Sequence, residues 1–170
     1  DDQLVQQRVD RRQRQMCIRD SLKVATKEAS GEIIHFLHSD DYYVENDSLE
    51  KVANLFNDQP DLVWLTGNFL IEIKGRKLAI PQTHLLRVNP ELILSFMNII
   101  SHENTFITRD FVEKYGGFNE GKNEVVEYSL WLKLIKEYKP FIVDEEFAVF
   151  TIHKGSTSTG SFPKFFKAVM

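Results

Sequence analysis

The chain has 170 residues, of which 42% are hydrophobic and 12% aromatic, so it can form one domain with a substantial buried core. Its formal net charge of −4 argues against a nucleic-acid-binding surface. No apolar run approaches the ~18 residues that a membrane-spanning helix needs. A single cysteine, Cys17, excludes an internal disulfide framework and is typical of a reducing compartment.

The first 21 residues differ in composition from the rest of the chain. They contain five of the eight arginines and no lysine, and aromatic residues begin only at Phe36. This segment can be interpreted as a solvated basic arm or as a stretch foreign to the domain, and we favour the second interpretation. We therefore expect a non-native or disordered segment over residues 1–21 and one domain over residues 22–170.

Hydrophobic periodicity and turn residues predict helices that alternate with strands in the first half of the chain. The predicted elements are a helix over 22–29 that ends at Gly31, a strand over 33–37, a helix capped by Asp47 or Ser48, a strand over 62–65, and a hairpin that joins 69–73 to 77–80 through Lys74-Gly75-Arg76.

The second half continues the mixed pattern. It predicts a helix from Pro90 to about Ile100, a strand over 105–108, a helix from Asp110 that Gly116-Gly117 ends, an amphipathic helix over 123–138, strands over 141–143 and 147–152, a loop over 154–160 and a short helix after Pro163. The fold class is therefore α/β, with a mixed sheet flanked by helices and an inserted hairpin.

The segment His38-Ser39-Asp40-Asp41 carries the strongest indication of chemistry. It directly follows the predicted strand over 33–37, and ligands of open α/β sheets bind beyond the carboxyl ends of strands. Adjacent carboxylates there suit Mg²⁺ or Mn²⁺, which in turn suits a phosphate-bearing ligand. The alternative is that the two aspartates only form a turn or cap a helix.

Four motifs in order resemble those of family-2 glycosyltransferases. The stretch from Ala29 to Asp41 resembles A-x-G-x-x-I-x-F-L-D-S-D-D, and Gly116-Gly117-Phe118-Asn119 resembles the G-G-F-D/N turn. The stretch from Glu127 to Leu134 resembles D-Y-x-L-W-L-R-L, and that from Ile152 to Ser158 resembles I-H-x-G-S-x-S. The resemblance covers residues 22 to about 160, and the order and spacing make it stronger than any single motif.

The resemblance implies a GT-A fold, a Rossmann-like sheet that binds a nucleotide-sugar, and sugar transfer with inversion. The implied donor is a UDP- or GDP-sugar, and the acceptor is a saccharide or a lipid-linked glycan of a bacterial surface polysaccharide. The implied location is the cytoplasm, with peripheral association at the inner membrane face. A divalent cation, Mg²⁺ or Mn²⁺, would neutralise the diphosphate leaving group, and a carboxylate would deprotonate the acceptor hydroxyl.

The resemblance also assigns roles to individual residues. Glu127 stands at the position of the catalytic base, Asp40 at that of the metal ligand, and Asp41 either supports the metal or holds the ribose. The further substrate-binding candidates are His38, His102, His153 and Trp131. For His102 a core position, for His153 a loop or capping role, and for Trp131 a place in the apolar stripe of its helix are the alternatives.

Three departures from the family pattern bear on activity. His38 replaces the first aspartate of the motif, and Glu127 replaces an aspartate, so its carboxylate reaches one methylene further. No strand that would lead into the nucleotide pocket precedes Leu22, so we expect a partial GT-A domain that is inactive as written. A non-catalytic sugar- or nucleotide-binding module is the alternative function, and a nucleotidyltransferase is disfavoured because a Gly-rich phosphate loop is absent from the sequence.

Overall fold

The computed structural model describes residues 20–81, 83–116 and 126–153. In chain order the described elements are helix α1 (residues 20–28), strands β1 (Ile33–His35) and β2 (Tyr42–Tyr43), helix α2 (Ser48–Asp58), strands β3 (Trp64–Thr66), β4 (Phe69–Ile73) and β5 (Arg76–Ile80), helices α3 (Thr83–Val88) and α4 (Pro90–Phe96), a 3₁₀ helix (His102–Asn104), strand β6 (Thr105–Thr108), helices α5 (Arg109–Lys114) and α6 (Val126–Leu134), and strands β7 (Phe141–Ile142) and β8 (Ala148–Ile152).

Several expectations lie outside the described residues. These are the segment over 1–19, the turn at Gly117-Phe118-Asn119, the start of the amphipathic helix over 123–125, and the loop and short helix that follow residue 153.

The first sheet has the strand order β1-β6-β3-β7. Strand β6 runs antiparallel to both β1 and β3, whereas β7 runs parallel to β3. Neighbouring residues of β6 point to opposite faces, as the two-residue repeat of a strand requires. Phe106 packs with Leu65 and helix α2 on one face, while Ile107 packs with Trp64 and helix α6 on the other. Helices therefore cover both faces of this sheet.

The second sheet has the strand order β2-β8-β4-β5. Strands β4 and β5 form the predicted hairpin, in which Lys74 and Gly75 adopt φ values of 51° and 76°. Two consecutive residues with positive φ are the requirement of a type I′ turn, which explains why glycine occupies the second position. Strand β8 pairs parallel with β4 and antiparallel with β2.

A buried asparagine joins the two sheets. Asn104 ends the 3₁₀ helix before β6 and is 0% exposed. Its Oδ1 accepts hydrogen bonds from the backbone N–H groups of Phe147 and Ala148 at 2.6 and 2.9 Å, and its Nδ2 donates to the Ala148 carbonyl at 2.9 Å. The amide therefore ties the start of β6 in the first sheet to the start of β8 in the second.

The α/β class is confirmed, with mixed sheets, flanking helices and the inserted hairpin. The strands divide between two sheets, where the sequence predicted one. Helix α4 ends at Phe96, short of the predicted Ile100, because Met97 is already extended at φ −154° and ψ 143°. Helix α3, strand β2 and the 3₁₀ helix were not predicted. Within the described part of the chain, no helix has the length and apolarity to cross a membrane.

Candidate functional site

The pairing of the strands brings several polar segments together at one end of the first sheet, where β1 ends and β6 begins. Strand β1 pairs antiparallel with β6 from Ile33 opposite Thr108 to His35 opposite Phe106, so the end of β1 lies beside the start of β6. The segment 38–41 follows β1, and the 3₁₀ helix directly precedes β6. The antiparallel pairing of β2 with β8 then places residues 40–41 next to the end of β8.

Asp41 anchors the start of β2 to β8. It is 8% exposed, and its Oδ1 accepts a hydrogen bond from the Thr151 backbone N–H at 2.8 Å. Its Oδ2 is buried and has no hydrogen-bond partner among the residues that the structure describes. Burial raises the pKa of Asp41 to about 7, with the carboxylates of Glu103 and Asp40 adding to the effect. The contact of Oδ1 with Thr151 is therefore structural, and only Oδ2 remains to interact with a ligand.

Asp40 forms the exposed end of the site with His153. The Asp40 Oδ2 atom lies 2.9 Å from the His153 Nε2 atom, and the two side chains are 38% and 49% exposed. These residues are 113 positions apart in the chain, and the register of β2 against β8 brings them together. The sequence predicted both as site residues on separate motifs, and the structure places them in contact.

His102 and Glu103 form the buried end of the site. The His102 Nε2 atom lies 2.9 Å from the Glu103 Oε1 atom, and Ser101 Oγ donates a hydrogen bond to Glu103 Oε2 at 2.6 Å. Burial alone lowers the pKa of His102, but the adjacent Glu103 carboxylate, assisted by Glu127 and Asp41, raises it to about 9. Burial opposes ionisation of Glu103 as well, yet the His102 charge holds the pKa of that carboxyl below its usual value. The two side chains therefore form an ion pair at neutral pH.

Glu127 and His38 lie on either side of this ion pair. Glu127 occupies the first turn of α6, and its Oε1 atom is 3.6 Å from the His102 Nδ1 atom. The His38 ring meets the His102 ring edge to face, with the ring centroids 4.8 Å apart. Burial, followed by repulsion from His102, lowers the pKa of His38, so His38 is the neutral partner of a charged one.

One charged residue of the site, Glu103, was not predicted from the sequence. Glu103 is 2% exposed and carries a charge, and its carbonyl oxygen accepts from the Nε2 of His35 at 2.9 Å. His35 also contacts the Tyr43 hydroxyl through Nδ1 at 3.1 Å and stacks on Phe106. The available signal was the run of four polar residues from Ser101 to Asn104, which interrupts two apolar stretches.

Trp131 does not reach the site. It is 1% exposed, and its ring stacks on Trp64 with the centroids 5.7 Å apart. A sugar cannot stack on a ring whose faces are covered by the core, so the predicted contact of Trp131 with a sugar is not available in this structure. The alternative reading, that it belongs to the apolar stripe of α6, agrees with its packing.

A concave surface lies elsewhere on the protein, and the site itself contains a cluster of atoms of the kind that bind metals. The concavity formed by residues 59–63 and 137–141 lies at the beginning of β3 and β7, the opposite end of the first sheet. Ligand atoms of His38, His102 and Glu103 all lie within 4.8 Å of one another. In this structure the charge of Glu103 is balanced by His102, whose Nε2 atom has no hydrogen-bond partner among the described residues.

The sequence matches no protein-family model and no curated protein. The chemistry of the site is therefore interpreted from its own side chains. They comprise an exposed carboxylate–imidazole pair, a buried carboxylate–imidazolium pair, and a partly exposed carboxylate, Glu127, whose side chain is 24% exposed.

Proposed function

We propose that this protein is an inverting glycosyltransferase that moves a sugar from a UDP- or GDP-sugar to a saccharide or lipid-linked acceptor. The observation that carries the proposal is the convergence of segments far apart in the chain. His38 contacts His102, His102 contacts Glu127, and Asp40 contacts His153. Side chains from three of the four motifs on which the resemblance rests thus lie together with His102 at one end of the first sheet.

In this proposal Glu127 is the general base. It lies at the start of α6 with a quarter of its side chain exposed, so it is open to an acceptor hydroxyl. As the hydroxyl oxygen attacks the anomeric carbon from the face opposite the diphosphate, the hydroxyl proton passes to a Glu127 oxygen. The bond between the anomeric carbon and the phosphate oxygen breaks, and its electron pair leaves with the nucleoside diphosphate. Attack from the opposite face inverts the anomeric configuration.

The exposed pair of Asp40 and His153 fits a divalent cation. A carboxylate oxygen and an imidazole nitrogen 2.9 Å apart are both accepted by Mn²⁺, whereas Mg²⁺ favours oxygen ligands. The next residue, Asp41, has a further carboxyl oxygen, Oδ2, which is buried and has no hydrogen-bond partner among the described residues. When bound, the cation would supply positive charge to the diphosphate. In this proposal His38, whose pKa burial lowers so that the ring is neutral, donates a hydrogen bond to a ribose or phosphate oxygen.

The test of the base is Glu127→Gln. The assay uses the full-length protein, because the resemblance predicts a nucleotide-binding strand ahead of the segment that begins at Leu22. General-base catalysis contributes typically ~10²–10⁴-fold, so kcat should fall within that range while donor binding changes little. Glu91→Gln is the matched control, since Glu91 is an exposed glutamate in the first turn of α4. Full kcat in Glu127→Gln would exclude Glu127 as the base.

The test of the cation site is Asp40→Asn. Loss of the carboxylate charge should remove most activity and raise the Mn²⁺ concentration needed for half-maximal rate, because few protein carboxylates hold the ion. Asp58→Asn, an exposed aspartate at the end of α2, is the control. Unchanged metal dependence would contradict the assignment. Donor binding without sugar transfer by the wild-type protein would instead indicate the non-catalytic binding module.

A further inference from the structure

The buried ion pair has a geometry that bears on Glu127. We infer that His102 is a positioning residue: anchored on Glu103 through Nε2, it uses Nδ1 to hold the Oε1 oxygen of Glu127 and so fixes the orientation of that carboxylate. This inference rests on the proposed function for its catalytic meaning, since Glu127 is the base only in that proposal. It differs from the substrate-binding role predicted for His102.

The first step is the charge on His102. Glu103 is 2% exposed, and a buried carboxylate is stable only when it is paired and hydrogen-bonded. Ser101 Oγ donates a hydrogen bond to its Oε2 oxygen, and the His102 Nε2 atom lies 2.9 Å from its Oε1 oxygen, within the range of charge attraction but without the geometry of a hydrogen bond. A positively charged ring satisfies the remaining oxygen best. In that form both ring nitrogens carry a proton, so Nδ1 also becomes a donor.

The second step is the direction of the other nitrogen. While Nε2 lies 2.9 Å from Glu103 Oε1, Nδ1 lies 3.6 Å from Glu127 Oε1, a distance of charge attraction that is longer than a hydrogen bond. A glutamate has one more rotatable bond than the aspartate of the family motif, so its carboxylate samples more orientations. An imidazolium beside one oxygen restricts that freedom and directs the second oxygen away from His102, toward the acceptor side in the proposed reaction.

The third step is the persistence of the charge. The groups that face His102 are Glu103 from its own 3₁₀ helix, Glu127 from α6, His38 and Asp41 from the segment after β1, and His35 from β1. The three carboxylates favour the charged form. Burial lowers the pKa of both His35 and His38, so neither adds a full positive charge near neutral pH. With its pKa raised to about 9, His102 stays charged over the neutral range.

A measurement that needs no activity tests this coupling. In the 170-residue chain labelled with ¹⁵N, the ring nitrogens of His102 are followed by NMR from pH 5 to pH 10. We expect wild-type His102 to titrate near 9, and Glu127→Gln to lower its pKa because one facing carboxylate is lost. Glu103→Gln should lower it further, toward the ordinary value of 6.5. Glu91→Gln, the exposed control, should leave it unchanged.

Two NMR outcomes would overturn the inference. One is titration of wild-type His102 near 6.5, which would mean that the ring is not held as an imidazolium. The other is an identical titration in the wild type and Glu127→Gln, which would mean that Glu127 is not held by His102. If either variant loses its folded NMR spectrum, Glu127→Asp serves instead, because it keeps the charge, withdraws the carboxylate by one methylene and should still lower the His102 pKa.

The kinetic arm asks whether positioning matters for transfer. His102→Asn should lower kcat by about 10²-fold with an unchanged KM for the donor, the effect expected of a base displaced by about 1 Å. When His102 loses its proton at alkaline pH, kcat should decline. In Glu103→Gln this decline should occur at lower pH, a change that a loss of stability alone would not produce. His84→Asn, on the exposed side of α3, is the control for the histidine substitution.

The arms separate the inference from the proposed function. Normal transfer by His102→Asn would overturn the positioning role and leave the glycosyltransferase proposal standing. NMR coupling in the 170-residue chain, together with no sugar transfer by the full-length protein, would support the hold of His102 on Glu127 and overturn the proposed reaction alone.

Discussion

The two ends of the site contain the same pair of groups at the same separation. At the buried end His102 Nε2 lies 2.9 Å from Glu103 Oε1, and at the exposed end His153 Nε2 lies 2.9 Å from Asp40 Oδ2. The side chains of the buried pair are 19% and 3% exposed, whereas those of the exposed pair are 49% and 38% exposed. The two ends therefore differ not in distance but in burial and in hydrogen-bond geometry, because the exposed pair is hydrogen-bonded whereas His102 Nε2 has no hydrogen-bond partner among the described residues.

The difference explains how one site can be both fixed and open. The buried carboxylate has little water around it, so its charge depends on the imidazolium and the Ser101 hydroxyl. The exposed pair is surrounded by solvent, so its attraction is weak, and in the proposed function a cation replaces it at little cost. In the proposed function the buried end holds the Glu127 side chain in place, and the exposed end binds the cation.

The largest expected effect on stability comes from removing the His102 side chain at the buried end. In His102→Phe the ring can still contact His38, but the buried Glu103 carboxylate loses its charged partner. Removal of one partner of a buried ion pair typically costs about 3–5 kcal/mol, and we expect that loss in the free energy of unfolding at pH 8. Urea denaturation measures it, with His84→Phe as the exposed control. A loss below about 1 kcal/mol would show that Glu103 is neutral or hydrated.

A middle-sized effect concerns pH. The pKa of His102 is about 9 in the folded protein against an ordinary 6.5, so the folded state binds more protons between these values. Stability from this group is complete below pH 6.5 and is lost as pH rises through 9. Between pH 7 and pH 10 the wild type should lose on the order of 2–3 kcal/mol more unfolding free energy than Glu103→Gln, in which the shift is removed. Parallel stability curves would contradict the ion pair.

The smallest effect is expected at the exposed end. Asp40→Asn removes a carboxylate from a pair whose side chains are both more than one-third exposed, so the free energy of unfolding should change by less than about 1 kcal/mol. The same urea experiment at pH 8 measures it, beside Asp58→Asn. A loss comparable with that of His102→Phe would erase the distinction between the two ends.

Local chemistry made parts of the fold predictable. The hairpin follows from Lys74-Gly75, because a two-residue turn with positive φ values leaves few alternatives. Helix α4 starts as predicted, with Pro90 in first position and Asn89 Oδ1 accepting from the Leu92 N–H. Its end was not predictable from periodicity, since the apolar residues that follow Phe96 continue the pattern in extended backbone. Strand β2 has two residues, too few for any repeat to be visible.

The site was predictable only in part, because its contacts are made between distant segments. Asp40, His153, His38, His102 and Glu127 could be proposed from motifs, but no motif shows which of them touch. Glu103 was missed because a charged residue in a polar run is usually exposed, and its burial depends on the pairing of β6 with β1 and the contact of the 3₁₀ helix with β8. The burial of Trp131 depends likewise on Trp64, 67 positions earlier in the chain.

Asn104 sets the alignment of one sheet against the other. Its amide bonds to the Phe147 and Ala148 backbone, so β8 can lie at only one offset relative to the start of β6. A slip of one residue would leave the amide's buried groups unpaired and would turn each β8 side chain to the opposite face. His153 stands directly after β8, so that offset also determines whether its ring faces Asp40. A core asparagine thus determines the position of an exposed histidine through the offset of one strand.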